Sequence, residues 1–436
     1  MVNLIEQPVQ ARRSDTTFAI CVWVLTILMG SSGIKEPVIF LAPAATPLLT
    51  LVWLALYACA AAALLFNHQI TWLIWLLRYR LMLSIALLGV ITSALWAVDP
   101  ALSLQRSIHL LGCGVLAIYI GFSLSLPTLL KTLLWTASAL VLISLIAVFA
   151  LPELSVQAYE GERVWRGVFA NKNTLGFWCT MTVALAICLL HAQQSWPTKL
   201  AICFSAVICL VALFESKSAT SQLALLTALS VAAILSMANK LKLGLAQQAL
   251  LGVLGAATVI LLVQTIDTHW LNSVLGRSGN LTGRGEVWAQ TWSLILDRPL
   301  VGYGYGNLWN PTDETLWIQQ KFTHFSWIVY HAHNGLLQIA SELGLIITTI
   351  VVVFVLQQIL ESLHFYHQQA SRETLFIIVY SVAFLLGNYS EARMMIDRDL
   401  FWVLFLAMPI SLLQHPTAIR NPAHGMSYSA INTVKH

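Results

Sequence analysis

Charge is what this chain has least of. Asp, Glu, Lys and Arg together make up 10% of its 436 residues, while hydrophobic residues make up 58%. A soluble domain carries about 25% charge, so the composition belongs to the membrane class and no nucleic-acid partner is expected. Cysteine is also sparse where it would matter. Cys21, Cys59, Cys113, Cys179, Cys188, Cys203 and Cys209 all fall in apolar stretches, and no CxxC pair exists. That excludes a disulfide framework or a cysteine–zinc site and leaves the thiols as small hydrophobes. No internal repeat is visible. No Asp-x-Asp pair occurs in the longest loop, so neither a metal ion nor any other cofactor is expected. No small-residue cleavage site follows the first apolar stretch convincingly, and that stretch reads as a retained span.

The few charges delimit the spans. Uncharged runs occupy 81–98, 107–130, 132–152, 173–198, 218–239, 243–266, 343–360, 374–390 and 400–419, with further runs at 16–34, 37–77 and a shorter one at 200–214. At ~20 residues per crossing, these predict an all-α polytopic membrane protein of about twelve transmembrane helices. Residues 1–266 then carry spans one to nine. Residues 267–333 form one long outer loop, 334–414 carry spans ten to twelve, and 415–436 are a cytoplasmic tail.

Alternating the spans from a cytoplasmic start places Arg12, Arg13, Arg78, Arg80, Lys131, Lys199, Lys240, Lys242, Arg372, Arg420 and Lys435 inside. Only Glu6, Asp15, Glu361 and Glu373 join them there. Short, almost purely basic inside loops are the informative part of the positive-inside pattern. The outer face keeps the remaining cations, which is unusual and asks for a reason.

The long outer loop is not of low complexity. It holds Trp270, Trp288, Trp292, Trp309, Trp317 and Trp327 with Tyr303, Tyr305 and Tyr330. Such a set suits a folded lid at the membrane surface or a surface that stacks on sugars, and a membrane-interface belt explains it equally well. Within it, Gly283–Asp297 sets Val287, Trp288, Thr291, Leu294 and Ile295 at helical spacing, which predicts an amphipathic helix. Arg298-Pro299 stops it, and Gly302 to Gly306 reads as a flexible turn; with no strand before it and no Lys-Ser after it, it is not a phosphate loop.

Four polar patches fall on this one side: Arg163, Arg166 and Lys172; Lys217; Arg277 and Arg284; and His331 with His333. Arginine forks match phosphate oxygens, and cations clustered at a membrane surface are what a diphosphate-headed lipid requires. A histidine nearby can take a proton from a hydroxyl at neutral pH. Each patch also has a structural reading. Arg163, Arg166 and Lys172 could snorkel to headgroups. Lys217 could pair with Glu215, and His333 could sit in a helix cap completed by Asn334. Glu342, at helical spacing from Gln338, would lie within the membrane and need a partner. A transporter is the competing class, but transporters place ionisable groups mid-membrane within broken, repeated helices. Here the cations crowd the loops.

The strings ALWAVDPALSLQRS, WRGVFANKNTLG, ESKSATS, GRGEVW with RPLVGYGYGN, HAHNGLLQIASELG and EARMMIDRDLFW, in this order, resemble the O-antigen ligase and polymerase superfamily from about residue 92 to 400. The lysines of NKN and SKS look most like the exopolysaccharide-polymerase branch; ligases more often carry Pro-Asn and Ser-Arg there. The resemblance implies a GT-C-like fold in a bacterial inner membrane and a glycosyltransferase working at the periplasmic face. The donor would be an undecaprenyl-diphosphate-linked glycan, and the acceptor another glycan or lipid A-core. Carried over by position, Arg284 binds the diphosphate, Lys217 assists, Arg166 lines the donor path, and His333 orients or deprotonates the acceptor. Arg163, Lys172 and His331 would contribute to substrate binding. A single inverting displacement without metal follows.

Overall fold

In a computed structural model the protein is described for residues 13–31, 33–68, 71–159, 161–190, 195–265, 284–322 and 329–414. Arg277, Trp270, Trp327 and the tail at 415–436 lie outside the described residues. Within hydrocarbon every backbone polar group must be satisfied inside its own segment, so each apolar run becomes a helix. The helices are α1 (Arg13–Gly30), α2 (Lys35–Leu41), α3 (Thr46–Ala63), α4 (Thr71–Tyr79), α5 (Leu81–Thr92), α6 (Pro100–Ser123) and α7 (Leu126–Ala150). They continue as α8 (Lys172–Leu189), α9 (Trp196–Glu215), α10 (Ala219–Lys240), α11 (Leu245–Thr265), α12 (Arg284–Asp297), α13 (Gly335–Gln368), α14 (Arg372–Ser390) and α15 (Leu400–Gln414).

Eight helical stretches among the described residues are long and apolar enough to cross a membrane, and the bent pair α1–α2 makes a ninth. Shorter apolar helices at Leu81–Leu95, Leu245–Leu261 and Leu400–Leu412 fall on three further runs of the sequence. The protein is an all-α multi-pass membrane protein. The outer segment before α8, read from sequence as a loop, contains a small antiparallel hairpin of β1 (Val156–Tyr159) and β2 (Glu162–Trp165).

Ion pairs tie together charged segments far apart in sequence. Arg80 clamps Glu361 through both terminal nitrogens of its fork, at 2.8 and 2.6 Å. Arg166, Lys217 and Arg284 pair with Glu36, Glu162 and Glu391 in turn.

The long loop packs as a body of its own. Val287 and Leu294 of α12 join Tyr303, Leu308, Trp309, Ile318, Phe322, Val329 and Ala332 in a separate apolar core. Trp309 is therefore core, tilted against Phe322 at 5.8 Å, whereas Trp292 and Trp317 stay exposed. The Gly302–Gly306 stretch is no flexible turn. Its glycines hold φ of 65°, 95° and 73°, and Tyr303 and Tyr305 between them are buried. This backbone docks on a break in α13 at Gly344, whose φ is 75° and ψ 172°. The break frees the carbonyls of Ser341 and Glu342, which accept from the Tyr303 and Gly304 N–H groups at 3.2 and 2.9 Å. Leu345 N–H donates in turn to Pro299 at 2.7 Å. The kink thus has an identifiable cause: loop backbone replaces the interrupted helical ladder.

Candidate active site

The patches converge on a residue that sequence reasoning left without a role. Glu391, at the end of α14, is buried at 8% exposure. Asn173 Nδ2 donates to its Oε1 at 2.6 Å, and Arg284 Nη2 lies 3.4 Å from the same oxygen. His331 Nε2 is 3.6 Å from Oε2 and His333 Nδ1 is 3.8 Å from Oε1. Two of the four patches meet here directly, and neighbours of the other two link to them. Asn173 follows Lys172, and Ser218, beside Lys217, donates through Oγ to Asn173 Oδ1 at 3.1 Å.

Local sequence explains each placement. Asn171 caps α8 by accepting from the Thr174 N–H, which starts the helix so that Asn173 faces Glu391. On α12, Val287, Thr291, Leu294 and Ile295 are buried as the spacing predicted, and Trp288 meets Tyr389 edge-on at 5.5 Å; Arg284 is thereby fixed at the helix start. Asn334 caps α13, accepting from the Leu336 and Leu337 N–H groups and donating to the Tyr389 carbonyl at 3.3 Å. Behind it, Gln338 accepts from the Ala332 N–H at 2.9 Å and donates to Glu342 at 2.7 Å. Glu342 has the partner its depth demands.

Two of the cationic or basic positions have backbones in the left-handed region: Lys217 at φ 48° and His333 at φ 51°. Such conformations are uncommon for residues with side chains and cluster at functional sites.

The hairpin gathers the other cations. Lys217 pairs with Glu162, not with its neighbour Glu215. Lys172 Nζ stands 3.4 Å over the Tyr159 ring. Arg166 is tied to the base of the hairpin, donating to the Leu154 and Ala170 carbonyls at 2.8 and 3.2 Å and lying 3.7 Å from Glu36. Arg163 projects exposed from β2. Arg284, His331 and His333 are thus brought onto one carboxylate, while Arg163, Arg166, Lys172 and Lys217 border it along the hairpin.

The electrostatics are set by crowding. Burial pushes the Glu391 carboxyl up, but His333, His331 and Arg393 outweigh it and hold the group well below the usual carboxylate range. His331 is pushed down to about 4, chiefly by loss of solvent and further by His333, Arg393 and Arg284, against the pull of Glu391. The site therefore pairs an ionised carboxylate with a neutral imidazole at neutral pH.

The donor atoms of His331, His333 and Glu391 lie within 4.8 Å of one another, close enough to hold a metal ion. The hydrogen bonds argue against it. The His333 backbone N–H donates to His331 Nδ1 at 3.1 Å, which leaves the ring proton on Nε2, the atom facing Glu391. A metal-ligating histidine has the opposite arrangement, donating its far N–H and offering a bare nitrogen to the ion. Arg284 and Asn173 also occupy one of the two carboxylate oxygens, Oε1.

Residues 204–352 match a family profile described as O-Antigen ligase. The chain is also 27% identical over 271 residues to the exopolysaccharide production protein ExoQ of Rhizobium meliloti (strain 1021), covering 59% of this chain and 60% of that protein. The chain is thus similar to O-antigen ligases over its middle third and to an exopolysaccharide production protein over somewhat more than half its length. The segment matching the superfamily holds Lys217, Arg284, His331 and His333. Asn173 and Glu391 lie outside it, so they are found by geometry alone. The sequence signal for Glu391 was an acid at the end of the apolar run 374–390, on the side where the histidines fall.

Proposed function

We propose that this chain is a membrane glycosyltransferase that takes a glycan from an undecaprenyl-diphosphate donor at the periplasmic face of the bacterial inner membrane and extends or transfers a surface polysaccharide. The convergence of Asn173, Arg284, His331 and His333 on Glu391 carries this reading. The similarity of residues 204–352 to O-antigen ligases and the role named for the Rhizobium relative support it.

The geometry supports the following chemistry. An acceptor hydroxyl held beside His333 attacks the anomeric carbon, its proton passing to the imidazole. The bond from that carbon to the diphosphate oxygen breaks, and the electron pair leaves with the diphosphate. Glu391 stabilises the imidazolium, as a carboxylate does behind a catalytic histidine. Arg284, with Lys217, Lys172 and Arg166 along the hairpin, holds the charge developing on the diphosphate, and Arg163 and His331 border the glycan. Preorganised cations in a water-poor site are worth several kcal/mol of barrier. One displacement inverts the anomeric centre and needs no metal. A covalent glycosyl-enzyme trapped by mass spectrometry would overturn that mechanism.

The acceptor admits two readings. The relative's name favours another glycan, hence polymerisation, while the family description favours transfer to lipid A-core. The test uses Arg284→Ala and His333→Ala in a null strain, with protein level measured before surface glycan. Normal accumulation with glycan assembly stopped supports transfer, and loss of free polymer versus lipid A-linked glycan separates the acceptors. Normal assembly by both variants would sink the reading.

A further inference from the structure

A second charged cluster lies deeper than the Glu391 site and is not used by the transfer chemistry. The segment 391–399 between α14 and α15 dips back along α6. Its Arg398 backbone N–H reaches Cys113 Sγ at 3.2 Å, about 20 Å along α6 from Pro100 at 1.5 Å per residue. On the way, Asp397, at 8% exposure, receives two arginines. Arg106 Nη1 donates to its Oδ1 at 2.9 Å and Arg398 Nε to its Oδ2 at 3.1 Å. Arg106 spends its other terminal nitrogen on Asn310.

Three observations show that this cluster is incomplete. Among the described residues Arg398 makes no other side-chain hydrogen bond, so both its terminal nitrogens stay open, and its side chain is 33% exposed. His109, one turn below Arg106, is 2% exposed, and its Nδ1 has no hydrogen-bond partner. The charges that act on this ring are Arg398, Asp397 and Arg106. Finally, Arg398 adopts φ 61°, a conformation a long side chain takes only when its surroundings impose it.

Two arginines share Asp397. Glu342 also acts on Arg106, whereas Arg398 has no second acidic partner among the described residues. Ionisable groups within a membrane are costly and normally meet a partner. An open guanidinium fork matches two oxygens of one phosphate, and a ring N–H adds a third contact. We propose that Arg398, with Arg106 and His109, forms a second oxyanion site that takes the phosphate of a lipid headgroup. It stands or falls independently of the transfer chemistry at Glu391.

The test titrates the full-length protein, purified in phosphate-free maltoside detergent, with short-chain phosphatidic acid, with diacylglycerol and with inorganic phosphate. Binding is read by native mass spectrometry for the wild type, Arg398→Gln, Arg398→Lys and Arg284→Gln. The wild type and Arg284→Gln are expected to share one saturable phosphatidic acid event. Arg398→Gln should weaken it by at least about tenfold, the loss of one charge-assisted contact. Arg398→Lys keeps the charge without the fork and should fall between, which keeps the test decisive where the glutamine variant fails to fold. Diacylglycerol should not bind at this site. Equal competition by inorganic phosphate identifies a free anion as the occupant and overturns the lipid assignment. Wild-type affinity in both Arg398 variants overturns the site itself.

Discussion

Asn173 donates a 2.6 Å hydrogen bond to Glu391 across 218 positions of sequence, joining the start of α8 to the end of α14 at the centre of the site. Its other amide atom accepts from Ser218, so one side chain reads two patches at once. Asn173→Asp would face one carboxylate with another at hydrogen-bond distance, and one of them must then hold a proton. Glycan formed per unit of folded protein is expected to fall by at least about tenfold, the scale of one lost charge-assisted bond. Asn173→Ala should lose less, since Arg284 and the histidines still surround Glu391. Equal activity in the aspartate variant would show that Glu391 acts outside the reaction.

The His331–Glu391 pair makes the site sensitive to acid. His331 has a folded pKa of about 4, below its ordinary 6.5, so between those values the unfolded chain binds more protons. Stability then rises with pH in that window: it is fully present above about 6.5 and is lost as pH falls toward 4. Glu391, held low, adds a further loss below the ordinary carboxylate range. The groups facing His331 are Glu391, His333, Arg393 and Arg284. Melting temperature in detergent should drop between pH 6.5 and 4 for the wild type. His331→Gln, which keeps a polar side chain without titrating, should flatten that slope; an unchanged slope would assign the acid sensitivity elsewhere.

The tautomer of His331 makes a separate prediction about metals. With Nδ1 accepting from the His333 backbone, Nε2 carries the proton and cannot ligate. Extensive treatment with a strong chelator should leave glycan transfer within about twofold of the untreated protein, since no ligand bond is there to lose. Loss of activity restored by one divalent cation would instead show that the histidine turn rearranges around an ion.

Much of this arrangement was legible in the chain. The uncharged runs located the apolar helices, because segments in lipid must be nearly free of charge. The histidine turn, Arg284 and the buried face of α12 were readable from spacing. What escaped was long-range. Nothing in the string FANKN says that Asn173 meets a carboxylate 218 residues away, and a lone glutamate after an apolar run looks like any span boundary. The structural reading offered Lys217 the nearby Glu215 as a partner, whereas the hairpin brings Glu162 to it; short strands of four residues leave little pattern to read. The GYGYG segment looked flexible because glycine is permissive, yet here that freedom serves docking.

Gly344 is where that docking is most exposed to substitution. Its φ of 75° and ψ of 172° fall in a region almost confined to glycine, and an added Cβ would collide with the carbonyl group of Leu300. Both effects act together, since the chain cannot relieve the dihedral without pulling the loop off the broken turn of α13. Gly344→Ala is expected to destabilise by at least about 2 kcal/mol, the scale of one enforced strained residue. A control separates this from ordinary helix chemistry: at Gly252 in α11 a Cβ would meet only Leu235 at 3.7 Å, and alanine there should be neutral or slightly stabilising. Activity should fall further than stability in Gly344→Ala. The bonds from Tyr303 and Gly304 to Ser341 and Glu342 hold the turn on which Gln338 steadies Ala332, and with it His331 and His333. Melting temperature and glycan output measured on the same preparations decide it, and wild-type values for Gly344→Ala would mean that the helix break is not enforced by the loop.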